Sequence, residues 1–257
     1  MPNITTNDGV NLAYRIFGEG ERDLILVHGW MVSGAVFSDL LDELELPDYR
    51  IIVPDLRLTG ASSGYADDFS LARQVEDVRA VADAAGAERF DLVGHSMGGQ
   101  VAQLFAATYP QRVKRLVVMA AVPATGAALD EQTYAFFHHS GENREAQAGI
   151  FGKAALDLPP GALERLCDDA IKIPAECIQK GLVAWTQGGF GDKLGQISAP
   201  TLVITSDDPF LPVAFLKAEI VDKIAGATST HIGGAGHYIQ VERCAETARN
   251  IEDFLLA

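Results

Sequence analysis

The sequence predicts an α/β protein: a mostly parallel central sheet with helices on both faces. Three observations carry this. Short continuous apolar runs, such as DLILVHG (23–29) and RIIVPD (50–55), read as strands buried on both faces. Longer segments with helical spacing separate them. The two kinds alternate, as they do when crossover helices connect parallel strands. A chain of 257 residues suits one large unit of this class, and a 48% hydrophobic fraction is enough to fill its core.

In chain order, VNLAYRIFG (10–18) alternates apolar and polar residues and reads as a strand, followed by the strand at 23–29. AVFSDLLDELEL (35–46) has helical spacing, and RIIVPD returns to strand. LARQVEDVRAVADAAG (71–86) is a helix stopped by Gly86. FDLVGH (90–95) is a strand that passes straight into a helix, GGQVAQLFAATYP, ended by Pro110. VKRLVVMAAVP (113–123) and TLVIT (201–205) are strands, STHIGG (229–234) is a short last one, and a final helix covers 240–256. Between 125 and 198 there are helical patterns, EQTYAFFHHS, PPGALERLCDDAIKI and AECIQKGLVAWTQ, but no strand. The expected organisation is a core of 1–124 and 199–257 with a helical lid, 125–198, inserted over the sheet's active end.

Charge and cysteine content narrow the functions. Acidic residues outnumber basic ones 35 to 20, a net charge of −15, which repels nucleic acid and anionic membrane surfaces. Three cysteines with no CxxC pair fit free thiols better than a disulfide framework or a zinc site. The opening MPNITTNDGV lacks the basic and apolar regions of a secretory signal, and no apolar run is long enough to span a bilayer. A cytoplasmic protein acting on a small molecule is expected, with no nucleic-acid or membrane partner.

The chemistry concentrates at Gly94-His95-Ser96-Met97-Gly98, a G-x-S-x-G pattern between a buried strand and a helix. A strand that reverses at once into a helix leaves no room for side chains beside the bend. The serine hydroxyl is left exposed at its tip. The following helix points its free N–H groups at the same place, where an oxyanion would form. A serine hydroxyl needs a base. Of the six histidines, His237 is the choice, because GGAGHYIQVE is a glycine-rich loop after the last strand. His28 reads as a turn residue, His95 as a strand residue pointing away from Ser96, His231 as part of a strand, and His138 and His139 as lid residues. The base needs an acid to orient it. TLVITSDDPFLP supplies Asp208, extended before Pro209, with Asp207 in reserve and Asp130 a weaker choice. The order Ser96, Asp208, His237 is the one expected on this kind of sheet. The Met97 backbone N–H is the first oxyanion donor; the second comes from the loop after LILVHGW, at Trp30.

Together LVHGW, IIVPDLR, VGHSMGGQVAQLFAATYPQRVKRLVVM, PTLVITSDDPFLP and GAGHYIQVE resemble the α/β-hydrolase fold family over nearly the whole chain. The HGW loop and the MAAVP strand ending are similar to those of the esterase and cofactor-free haloperoxidase (perhydrolase) branch, and GHSMGG is similar to the motif of enol-lactonases. The resemblance implies a serine hydrolase for a small or medium carboxylic ester or lactone, needing no metal or organic cofactor. It leaves three alternatives: a C–C bond hydrolase, a cofactor-free oxygenase, or a non-catalytic small-ligand receptor. The lid residues Phe136, Phe137, His138 and Trp185 are expected to line the substrate pocket. One departure stands out: DLRLTGASS carries Leu58 where the family pattern D-x-R-G-x-G-x-S has its first glycine, which implies a loop of different shape.

Overall fold

The computed structural model describes residues 1–257. Eight strands form one sheet: β1 (Asn3–Thr5), β2 (Asn11–Phe17), β3 (Arg22–Val27), β4 (Tyr49–Pro54), β5 (Phe90–His95), β6 (Val113–Met119), β7 (Thr201–Ser206) and β8 (Thr228–Ile232). They lie in the order β1-β2-β4-β3-β5-β6-β7-β8. The β1–β2 and β2–β4 pairs are antiparallel; all pairs from β4 to β8 are parallel. The chain places β4 on one side of β3, then crosses to put β5 on the other. Such a switch opens a crevice at the strands' carboxyl ends. There β3 delivers His28-Gly29-Trp30 and β5 delivers Ser96 side by side, with Val27 paired to Gly94.

The central strands are buried on both faces, and all six residues of β5 are buried. Helix α1 (Ser38–Glu43) follows a short 3-10 turn. Helix α2 (Leu71–Ala84) buries Leu71, Val75, Val78, Val81 and Ala82, the stripe expected of a helix lying on a sheet. Ser70 caps its start by accepting the Arg73 N–H, and Gly86 turns the chain away at φ 73°. Helix α3 (Met97–Thr108) starts directly at the bend after β5.

Four helices lie between β6 and β7: α4 (Glu131–His138), α5 (Arg144–Ala154), α6 (Ala162–Ala170) and α7 (Ala175–Gln187). This segment leaves and returns through one neck, where the Gly189 and Phe190 N–H groups donate to the Ala124 carbonyl. The 3-10 turn Gly191–Gln196 then packs on α3. One connected cluster of 77 buried apolar residues runs from the sheet into α5, α6 and α7, so these helices share the sheet's core. Helix α8 (Val213–Glu219) follows β7, and the C-terminal segment is two helices, α9 (Ile239–Glu242) and α10 (Cys244–Leu256). They part at Arg243, whose φ of −141° breaks the single helix expected over 240–256. No helix is long and apolar enough to cross a membrane.

Candidate active site

Ser96 sits between β5 and α3 at φ 57°, ψ −124°, a region that L-residues occupy only under strain. The two flanking glycines explain how the bend forms. A Cβ on Gly94 would collide with the Gly98 carbonyl, and one on Gly98 with the carbonyls of Val27 and His28. The Ser96 carbonyl accepts from the Gly99, Gln100 and Val122 N–H groups, and the Ser96 N–H donates to Met119. The serine is therefore locked by backbone alone.

The loop after β8 brings His237 over it. His237 Nε2 is 2.8 Å from the Ser96 hydroxyl, and Nδ1 is 2.6 Å from Asp208 Oδ2. Burial raises the Asp208 pKa, but the His237 charge and hydrogen bond, with the Phe210 and Leu211 N–H groups, outweigh it and hold the carboxyl below its usual range. An ionised Asp208 accepts the hydrogen bond from Nδ1–H, which leaves Nε2 free to accept from the Ser96 hydroxyl. Asp207 lies elsewhere: half exposed, it accepts the Gly234 N–H at 2.8 Å and faces His231 at 3.4 Å. Asp130 caps α4 by accepting from Thr133.

The other histidines have other partners. His28 Nδ1 contacts the Gly29 carbonyl, and its Nε2 accepts the Leu56 N–H at 2.9 Å, tying the loop after β3 to that after β4. His95 makes no hydrogen bond to Ser96 by its side chain: its Nε2 donates to the His237 carbonyl at 2.8 Å, and its ring centroid lies 4.9 Å from that of His237. His231 belongs to β8, and His139 bonds its own helix.

The Gly29–Trp30 peptide runs beside the serine: a Cβ on Gly29 would lie 2.8 Å from Ser96 Cβ. The Trp30 N–H has no acceptor in the protein, and the Met97 N–H, the first of α3, has none within its helix. Side-chain tethers hold this loop. Asp55 accepts the Gly34 N–H, Asp169 of α6 accepts both the Ser33 N–H and hydroxyl, and Trp30 Nε1 donates to the Ile178 carbonyl of α7 at 2.7 Å.

Ser96 and His237 open onto a cavity whose other twelve lining residues are all aliphatic or aromatic. Trp30, Phe137 and Trp185 form one aromatic wall, with Trp30 stacked on Phe137 at 5.5 Å. Phe136 and His138 lie outside the cavity. Successive helical residues point about 100° apart, so with Phe137 inward Phe136 is turned toward solvent and Lys153. His138 stacks on Tyr134 instead. The sequence reading missed Ile150 and Ala154 of α5, together with Phe210, Leu211 and Tyr238. Tyr238 adjoins His237, and Phe210 and Leu211 lie just beyond Asp208 in the TLVITSDDPFLP stretch. Helix α5 carries only a weak apolar stripe and had no comparable signal. Leu58 has φ 58°, a left-handed conformation that glycine adopts without strain, so the loop keeps a glycine-like turn although a leucine stands there. No three His, Cys, Asp or Glu side chains converge in a way that could hold a metal ion.

A family model for the alpha/beta hydrolase fold matches residues 24–243. The chain belongs to this family. This alpha/beta hydrolase is 30% identical, over 98% of its length and 93% of the relative's, to the 2-hydroxy-6-oxononadienedioate/2-hydroxy-6-oxononatrienedioate hydrolase of Paraburkholderia xenovorans (strain LB400). It is 26% identical to a non-heme haloperoxidase of Rhodococcus erythropolis, covering 92% of this chain and 93% of that one. Its fold is similar to that of the enol-lactonase from Burkholderia xenovorans LB400, with a TM-score of 0.88 over 100% of both chains at 22% identity.

Proposed function

We propose that this alpha/beta hydrolase is a serine hydrolase that cleaves a small or medium carboxylic ester or lactone through an acyl-enzyme. The observation that carries the reading is the hydrogen-bonded chain Ser96–His237–Asp208, opening onto a cavity with no other charged lining residue. Ser96 Oγ attacks the carbonyl carbon while His237 Nε2 takes its proton. Asp208 stabilises the resulting imidazolium. The Met97 and Trp30 N–H groups receive the oxyanion. As the tetrahedral centre collapses, the C–O bond to the alcohol breaks and His237 returns the proton to the leaving oxygen. Water, deprotonated by His237, then attacks the acyl carbon and frees Ser96.

The second reading, C–C bond hydrolysis, draws on the likeness to the dienedioate hydrolase. A dienedioate carries two carboxylates, and neither lysine nor arginine lines this cavity. Leaving a buried carboxylate unpaired is costly. The lining instead suits an uncharged acyl group. Each methylene it buries contributes about 0.8 kcal/mol, roughly fourfold in kcat/KM, until the space is filled. A p-nitrophenyl ester series of increasing acyl length, assayed beside lactones and the dienedioate, tests the reading. We expect a rise and then a fall with length, and covalent labelling of Ser96 by a fluorophosphonate. Faster turnover of the dienedioate than of any ester or lactone would favour the second reading.

A further inference from the structure

We infer that Glu242 is a positioning residue for His237, and that it couples the base to the end of α5; this rests on the hydrolase reading above. Glu242 is buried, at 6% exposure, yet its carboxylate pairs with no cation. It accepts four backbone N–H groups instead. Two come from the residues on either side of His237: Gly236 at 2.9 Å and Tyr238 at 3.0 Å. The other two come from the chain just beyond α5: Leu156 at 2.7 Å and Asp157 at 2.9 Å. A carboxylate is the side chain for this place, since it offers about four lone-pair sites and no donor.

The seam is reinforced on both sides of Glu242. The His237 N–H donates to the Ala154 carbonyl at 2.8 Å, and Arg243 bridges Asp157 and the Gly234 carbonyl. A Cβ on Gly236 would run into Ala154 and Ala155, so the two backbones are in direct contact. Ala154 and Ile150 of α5 line the cavity. One buried carboxylate thus fixes the His237 backbone against the same segment that shapes the acyl pocket. Asp208 orients the imidazole ring; Glu242 sets where the ring is carried.

Glu242→Gln keeps the volume but replaces one accepting oxygen with an NH₂ that faces N–H donors. The experiment uses the full chain with a p-nitrophenyl ester, beside wild type and Ser96→Ala. Glu242→Gln should lower kcat about tenfold with KM within about twofold, because a small displacement of a reacting group is felt in the chemical step. Fluorophosphonate labelling of Ser96 should slow in parallel. Amide hydrogen exchange should accelerate together in the segments 152–158 and 234–243. Arg243→Ala, which loosens the same seam from its exposed side, should do the same to a smaller degree and serves if the Gln variant does not fold. Lowered thermal stability with kcat and labelling unchanged would overturn the inference, as would faster exchange in only one of the two segments. Turnover that survives Ser96→Ala defeats the hydrolase reading and this inference with it. Turnover lost in Ser96→Ala but intact in Glu242→Gln defeats this inference alone.

Discussion

The bend at Ser96 and the loop at His237 face each other across 2.8 Å and are held by unlike means. The bend is built from backbone: a strained serine, glycines packed against neighbouring carbonyls, and a helix that begins at once. Its own residues lie within a few positions of chain, and the neighbouring strands supply the carbonyls and N–H groups that lock them. The loop is held largely by side chains, from the end of β7 and from α9. Asp207 fixes Gly234, Ser206 donates its hydroxyl to the Gly236 carbonyl, and Glu242 gathers both neighbours of His237. The loop after β3 is of the second kind, tethered to α6 and α7. The proposed nucleophile, locked by backbone contacts to the strands beside it, is rigid. The proposed base and oxyanion donor are held by side-chain tethers, so they follow whatever the tethers join, which here includes α5, α6 and α7.

The largest effect tests whether the two regions act as one unit. Ser96→Ala should lower kcat on the order of 10³-fold or more, and adding His237→Ala should cost little beyond that. Steady-state kinetics of the two single variants and the double variant decide it. Losses that multiply would mean that the two side chains act separately.

Next comes the acid. Asp208→Asn should lower kcat on the order of 10²- to 10⁴-fold, because an amide that donates to Nδ1 favours the wrong tautomer. Asp207→Asn should stay within about threefold, since that residue only anchors Gly234 from the surface. Equal losses in the two variants would break the distinction between orienting the ring and holding the loop.

This pair also marks the limit of what can be read from residues alone. The bend was legible because its constraint is local, and the sheet because buried parallel strands are continuous apolar runs. Asp207 and Asp208 could be ranked but not separated, since neighbours at a strand end point to opposite sides. Phe136 and Phe137 differ in the same way, by one step of helical rotation. The three-residue β1 and helix α5, with its Ala, Gly and Gln, carry too weak a pattern to stand out. Glu242 was the hardest to see. In HYIQVE it reads as an ordinary solvated carboxylate, and only the fold brings the four N–H groups to it.

A smaller effect concerns the tether of the oxyanion loop to the helices above it. Trp30→Phe keeps an aromatic ring against Phe137 but removes the indole donor to the Ile178 carbonyl. A net loss of about 1 kcal/mol in holding the loop corresponds to roughly fivefold in kcat if the bond matters equally at the transition state. A change confined to KM would assign Trp30 to substrate packing alone.

The smallest effect lies where the two regions touch, at His95. It ends β5 next to the serine, and its Nε2–H supports the His237 carbonyl. Burial, and then the nearby charge of His237, push its pKa down to about 3 from an ordinary 6.5. The folded protein therefore keeps His95 neutral over a range in which the unfolded chain protonates it. Stability must fall as pH drops from about 6.5 toward 3, because the unfolded state binds the extra proton there. Asp208, whose pKa is depressed, contributes in the same direction, but only below the ordinary carboxylate value near 3.8. His95→Gln can still donate to the His237 carbonyl and does not titrate. Urea unfolding of this variant and wild type at several pH values between 7 and 4 should show a shallower decline in the variant. Identical slopes would mean that His95 gains its proton in the folded protein as readily as in the unfolded chain, and that the contact between the two regions is not dry.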